Sequence, residues 1–510
     1  MSDAPQIGLA NWITDRAQRS PGRPALTFDE TTWTYQQFLE RIDRCAGLFE
    51  ARGVRAGTRV AYVGFNDPHF LVALFASSKL GAIFVPLNFR LTGPELQYII
   101  NDADAKVLVA GAEHREVIDS IRTNISPRHY FLVAPSAPPS WELLSEAYGS
   151  VSPRTACERV GHDDAALIMY TSGTTGRPKG ATLSHGNLWW HNIGVLVSCF
   201  DSREDDVQLV MAPLFHIGGL NVLTLNAFLV GGHVVLHKNF DPAAVLRDIP
   251  CYPITTTFAV PAMLLFLSQH ADFGQTDMSS LRLVVVGGAP VPEALLRLFN
   301  SRNIPVHQGY GLTETAPAVS FLSPQYSVEK LGSAGKSPML SAFRLADENG
   351  NVIQRAHVKG EIQAKGPNVM LGYWNKPDAN KEAFIDGWFR TGDIGYVDED
   401  GFLFVCDRVK DMIISGGENI YPAEVESILF EHPAVAEVAV VGRPDVQWGE
   451  QVVAVVALKP GANLNLEELQ AFASTRLARY KVPRALHIVS ALPRTPTGKV
   501  LKYKLREDVR

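Results

Sequence analysis

The sequence predicts an α/β protein. It has a large N-terminal domain of doubly wound sheets plus a small β-barrel-like unit, followed by a small mobile α/β C-terminal domain. Three observations predict it. Short apolar, β-branched runs alternate with longer helical patterns through much of the chain, the mark of parallel sheets covered on both faces. From about Gly332 turn signals crowd between short strands, and near Arg408 the texture changes again. The length of 510 residues also exceeds what one ordinary core supports.

Taken in order, "RVAYVG" (Arg59–Gly64) is a strand, and "DPHFLVALFASSKLGA" after it is helix-like. "AKVLVAG", "HYFLVAP", "AALIMY", "VQLVMAP", "GHVVLH" and "LRLVVVGG" are further strands. The most apolar stretch, Ile217 to Leu236, has membrane-spanning length. Its four glycines, two asparagines and His233 make it a buried core segment instead. "DENGNV", "KGPN" and "DEDGF" are the turns of an antiparallel unit. The last hundred or so residues read as a compact unit of domain size: a helix in "AEVESILFEHPAV", strands in "VAEVAVVGRP" and "EQVVAVVALK", a helix in "NLEELQAFASTRLARY". The expected division is residues 1–407, a hinge at 408–411 in "DRVKD", and 412–510.

Composition narrows the function. Hydrophobic residues at 46% and charged residues at 20% suit a soluble globular protein. A net charge of −6 leaves no basic footprint for nucleic acid. The five cysteines form no C-x-x-C pair, which fits a reducing cytoplasm and no structural zinc. "MSDAPQIGLANW" lacks the basic and apolar run of a signal peptide. A cytoplasmic location is expected; peripheral membrane contact and a homodimer are both compatible with it.

Chemistry gathers in five places. "YTSGTTGRPKG" follows the strand "AALIMY"; small residues there let backbone N–H groups approach phosphate oxygens. It is not the P-loop G-x-x-x-x-G-K-[ST], because Arg177 and Pro178 separate Gly176 from Lys179 and no Ser or Thr follows the lysine. "QGYGLTETAP" (Gln308–Pro317) offers glycines that admit a flat ring, Thr313 as a phosphate donor, and Glu314 as a hard oxygen for magnesium. "WFRTGD" ends in Asp393, whose two oxygens can accept both hydroxyls of a ribose. "CDRVKDMIISGGENIYPAEVE" joins fixed charges to Gly416 and Gly417, and "LPRTPTGKVLKYKLRE" places Lys499 on a Pro/Gly loop. A lone carboxylate or lysine of this kind is ordinarily surface decoration; five together in this order are not.

In that order the five motifs resemble the acyl-adenylate-forming enzymes: acyl-CoA synthetases, 4-coumarate-CoA ligases, luciferase and the adenylation domains of peptide synthetases. The likeness spans nearly the whole chain and is greatest to fatty acyl-CoA synthetases. It implies an AMP-forming acid–thiol ligase that uses ATP, Mg²⁺ and coenzyme A. Thr171, Ser172, Gly173, Thr174, Thr175 and Lys179 would hold the β- and γ-phosphates. Gly288, Ala289, Pro290, Gln308, Gly309, Tyr310, Gly311 and Leu312 would line the adenine site. Thr313 would meet the α-phosphate, Glu314 the magnesium, and Asp393 with Arg408 the ribose. Lys410 matches the hinge, Lys499 the catalytic lysine, and His216 in "APLFHIGGL" the gate beside the carboxylate pocket. Gly416 and Gly417 match the ligases in which the pantetheine thiol passes paired glycines.

Physical chemistry agrees with those roles. A carboxylate attacking the α-phosphate brings two anions together, so cationic stabilisation dominates the barrier, and such a group typically contributes ~3–4 kcal/mol. No G-x-S-x-G or H-E-x-x-H motif is needed, because the substrate supplies the nucleophile. Stretches matching the acyl pocket, "HIGGLNV", "FAVPAML", "VGGAP" and "GYGLTETAPAV", carry no charge beyond His216 and Glu314. A second carboxylate or an amino group would lack a buried partner there. The expected acid is therefore an apolar monocarboxylate: a medium or long fatty acid, with a cinnamate-like or alicyclic acid as the near alternative. The acceptor is expected to be coenzyme A, the alternative being a separate carrier protein, since no carrier domain follows in this sequence.

Overall fold

The computed structural model describes residues 6–171, 178–289, 291–408, 411–415, 418–446, 448–494 and 500–509. Two eight-stranded sheets dominate the N-terminal part. One runs, edge to edge, Ala318–Phe321, Val306–Gly311, Leu283–Val286, Thr256–Ala259, Val207–Val210, His233–Leu236, Pro24–Phe28 and Thr31–Thr34. Its six inner strands are parallel and both edge strands antiparallel. The other runs Gly372–Tyr373, Lys179–Ser184, Ala165–Thr171, Ile83–Leu87, Arg59–Val63, Val107–Gly111, His129–Val133 and Glu142–Leu143.

One hydrophobic cluster joins the two sheets: Leu26, Val210 and Val234 come from the first, Val60, Tyr62 and Phe84 from the second. Helices Leu9–Arg19, Tyr35–Ala51, Pro68–Lys79 and Thr224–Val230 contribute to it. In Pro68–Lys79 every residue except His69 is buried, which is why its sequence shows no polar stripe. Asp67 caps it by accepting the His69 N–H at 2.8 Å. The apolar stretch from Ile217 breaks into helix Ile217–Asn221, helix Thr224–Val230 and strand His233–Leu236, all largely buried, as the sequence predicts. Among the described residues no helix is long and apolar enough to cross a membrane.

The turn-rich stretch after Gly332 forms a six-stranded antiparallel sheet around Gly360–Lys365 and Trp388–Val397. Gly350 and Gly401 supply positive φ at two of its turns, +84° and +77°. Strand Leu403–Arg408 closes this sheet, and Ile413–Ser415 already belongs to the next. That last sheet has five strands, with Gly449–Leu458 at its centre and Val435–Asp445 along one edge. Helices Pro422–Phe430 and Leu466–Ser474 pack on it. The molecule thus has a large N-terminal and a small C-terminal domain, as the sequence predicts.

Candidate active site

Strands Ala165–Thr171 and Lys179–Ser184 pair antiparallel, with Thr171 opposite Lys179. The loop between them therefore leaves from the C-terminal end of a sheet strand, where α/β folds present ligands. The other sheet delivers Val306–Gly311 to the same place. Beyond Gly311 the chain makes a short 3₁₀ turn, Thr313–Thr315, a left-handed residue at Ala316 (φ +57°) and a cis peptide to Pro317. A Cβ on Gly311 would stand 1.4 Å from the Pro317 carbonyl oxygen, so only glycine fits.

Buried amides fix this turn from behind. Asn221 Nδ2 donates to the Ala316 carbonyl at 2.6 Å, and Asn192 Nδ2 donates to Asn221 Oδ1 at 2.9 Å. Asn368 Nδ2 donates to the carbonyls of Thr315 and Ala318, both at 2.7 Å. The Met370 N–H donates to the Glu314 carbonyl at 2.8 Å. Thr313 is half-buried and Glu314 is buried.

On Glu314, one carboxylate oxygen, Oε1, accepts from Tyr373 Oη at 2.9 Å and from Thr171 Oγ1 at 3.3 Å. Burial and the Glu314 charge push the Tyr373 hydroxyl up, so it stays protonated and donates. Lys179 Nζ lies 5.3 Å from the centre of the Tyr373 ring. Thr171, Lys179 and Glu314, three expected site residues far apart in sequence, are thus gathered around a tyrosine the sequence reading missed. Among the described residues no cluster of three metal-ligating side chains occurs. A lone hard carboxylate still fits magnesium, which takes one or two protein carboxylates and fills its sphere with phosphate oxygens and water.

Asp393 is buried on strand Trp388–Val397 and accepts from Tyr310 Oη at 2.7 Å. Its own N–H donates to Thr391 Oγ1 at 3.1 Å, and its backbone registers opposite Arg408. Gln308 is buried and donates to the Ser333 carbonyl at 3.1 Å. Gly288, with φ +87°, and Ala289 are exposed at the end of Leu283–Val286 and leave the backbone open to a flat ring. Ser172 to Thr175, Pro290, Lys410, Gly416, Gly417 and Lys499 lie outside the described residues, as does the side chain of Arg408.

His216 precedes helix Ile217–Asn221, half-buried, its ring centre 4.1 Å from that of Phe215. Buried Asn66 ties this segment to the second sheet, donating to the Ala212 carbonyl at 3.0 Å and accepting the Leu214 N–H at 2.8 Å. Two glycines in the expected acyl stretches have rings laid against them. A Cβ on Gly218 would lie 2.9 Å from the Phe258 ring, and one on Gly309 would lie 2.2 Å from the Phe321 ring. Phe200 meets Phe321 edge-on at 4.9 Å.

A profile described as "AMP-binding enzyme" matches residues 13–374, and "AMP-binding enzyme C-terminal domain" matches 424–499. The chain belongs to the AMP-binding enzyme family. It is an acid–thiol ligase of the AMP-forming kind within the acyl-CoA synthetase superfamily, using ATP, Mg²⁺ and coenzyme A. It is 45% identical over 499 residues to a feruloyl-CoA synthase from Amycolatopsis sp, covering 98% of each chain. It is 42% identical over 505 residues to an indoleacetate–CoA ligase from Aromatoleum aromaticum, again covering 98% of each. The long-chain-fatty-acid–CoA ligase FadD13 from Mycobacterium tuberculosis is 38% identical over 502 residues, 97% of each chain. Among solved structures, the anthranilate CoA ligase AuaEII with anthranoyl-AMP superposes with a TM-score of 0.94 at 28% identity, covering 99% of this chain and 98% of that one. Bacillus subtilis MenE with ATP and magnesium gives 0.86 at 35%, covering 97% and 99%.

Proposed function

We propose that this AMP-binding enzyme activates an aryl-substituted monocarboxylic acid and transfers it to coenzyme A. The observation that carries this reading is the aromatic lining: Phe258 and Phe321 close over Gly218 and Gly309 and narrow the space the glycines open. That sets flat aromatic surface where the glycines would leave open space, which suits a ring better than a long flexible chain. The two relatives of 45% and 42% identity are named for feruloyl and indoleacetyl thioesters, which supports it. A fatty acid is the second reading, favoured by the uncharged lining and by FadD13 at 38%.

In the proposed reaction the acid's carboxylate oxygen attacks the ATP α-phosphorus, and the bond to the β-phosphate oxygen breaks to release pyrophosphate. Coenzyme A thiolate then attacks the acyl carbonyl carbon, and AMP leaves with the bonding pair on its phosphate oxygen. Magnesium, when bound, neutralises phosphate charge. Thr171, Lys179 and the loop between them would hold the β- and γ-phosphates, Thr313 the α-phosphate, Glu314 the metal and Asp393 the ribose. Lys499 would neutralise charge at the α-phosphate in the first step. The C-terminal domain, turning about 408–411, would bring Gly416 and Gly417 to the thiol in the second.

The test is a panel of cinnamate-type, arylacetic and C8–C16 fatty acids, assayed for pyrophosphate release and for thioester with and without coenzyme A. Aryl acids are expected to lead in kcat/KM by about tenfold or more, with thioester formed only when coenzyme A is present. Fatty acids leading the panel would replace the aryl reading. Acyl-adenylate accumulating despite coenzyme A would replace the acceptor.

A further inference from the structure

Strand Val306–Gly311 crosses the site with successive side chains on opposite faces. Gln308 and Tyr310 turn to one side, toward Ser333 and Asp393. His307 and Gly309 belong to the other. Register carries that second face across the sheet, because Phe258, Val285 and His307 are aligned partners on three adjacent parallel strands. Phe258 is the ring lying against Gly218, in the helix that follows His216. His307 therefore lies on the face of the sheet that carries Phe258 beside Gly218. It lies two residues, about 6–7 Å, deeper along the strand than Gly309 and away from Thr313.

This imidazole is 1% exposed, and neither ring nitrogen has a hydrogen-bond partner among the described residues. Native interiors pair such groups, because an unmatched buried donor or acceptor costs stability. Its neighbours on that face are apolar: Val285, aligned beside it, and Phe321, opposite Gly309, are both buried. Burial lowers its pKa to about 4, so near neutral pH it offers one N–H donor and one bare acceptor. By contrast His191, equally buried, reaches the Asn221 carbonyl through Nε2 at 2.9 Å.

We propose that His307 is a specificity-determining residue that reads the far end of the acid. It hydrogen-bonds a hydroxyl or ring N–H carried on the aryl group opposite the carboxylate. This rests on the aryl reading above and narrows it to aryl acids with a polar distal group. A slot built to pair a substrate hydroxyl discriminates against the analogue that lacks it, since the buried partner is then left bare.

The experiment compares cinnamate, 4-hydroxycinnamate and 4-methoxycinnamate on the full-length enzyme. Wild type should favour the hydroxylated acid over cinnamate by ~10–100-fold in kcat/KM, with the methoxy acid, which cannot donate, falling between. In His307→Phe that ratio should collapse toward one, and His307→Gln, which keeps a donor and an acceptor, should restore much of it. Thermal unfolding of each variant separates loss of folding from loss of discrimination, and the wild-type series stands if neither variant folds. Equal kcat/KM for cinnamate and 4-hydroxycinnamate in wild type overturns the His307 assignment while leaving the aryl reading intact. If no aryl acid is turned over while fatty acids are, both fall together.

Discussion

Around Glu314 the chain is held by hydrogen bonds, whereas around Gly309, five residues earlier, it is held by contact between rings and bare backbone. At the proposed nucleotide end, Tyr373, Thr171, Asn221, Asn368 and Tyr310 each donate to a named oxygen. At the proposed acyl end, Phe258 and Phe321 press on glycines at distances no side chain could share. Directional bonds fix where charge will be stabilised and do so for any acid. Packed rings set a volume, and that volume, with the hydrogen bond proposed for His307, is what would distinguish one acid from another. A change at the first end should therefore cost the same factor for every substrate, and a change at the second should reorder substrates.

The largest expected effect tests the first half of that statement. Glu314→Gln keeps the shape and an acceptor for the Tyr373 hydroxyl but removes the charge proposed to hold magnesium. Pyrophosphate release should fall by roughly 10²–10³, by the same factor for every acid in the panel. A loss that differs widely between acids would place Glu314 in the acyl pocket and break the comparison.

Next in size is Gly309→Ala. Its new methyl would sit 2.2 Å from a Phe321 ring carbon, so Phe321 must move into the slot or toward Phe200. Overpacking of this kind costs ~1–3 kcal/mol. Discrimination among acids should therefore shift by about 10–100-fold against the bulkiest rings, while KM for ATP stays near wild type. Steady-state kinetics on two acids of different width reads both quantities. An equal loss for every acid, with ATP affected as well, would assign Gly309 to the nucleotide end.

This contrast also explains what the sequence could reveal. Strands such as Arg59–Val63 and Leu283–Val286 were legible because a doubly covered sheet demands unbroken apolar runs. The nucleotide end was legible because phosphate, ribose and metal dictate residue types in short motifs. Thr171, Lys179 and Glu314, named from those motifs, lie together around Tyr373. Tyr373, Asn221 and Asn368 were not legible, because a buried amide or phenol supporting a turn from another element leaves no local pattern. His307 falls outside every motif; only register and burial set it on the face of Phe258 with no hydrogen-bond partner among the described residues. On sequence alone, the glycines at 218 and 309 leave room for a bulky or long tail. The sequence could not show that rings from positions 258 and 321 would lie over them.

The smallest expected effect probes the nucleotide end one bond at a time. Tyr310→Phe removes a hydroxyl that donates to Asp393 Oδ2 at 2.7 Å and leaves the ring in place. Asp393 is buried, so losing a donor loosens a carboxylate whose proposed partners are the ribose hydroxyls. A net hydrogen bond contributes ~0.5–1.5 kcal/mol, which converts to a rise in KM for ATP of about 2–10-fold. The acid's KM should not follow, because Tyr310 and Gly309 face opposite sides of their strand. Two other results are informative. If KM for the acid rises instead, the two faces of Val306–Gly311 have been assigned the wrong way round. If kcat falls alike for all substrates together with the melting temperature, the Tyr310–Asp393 bond serves folding, and Asp393 needs another route to the ribose.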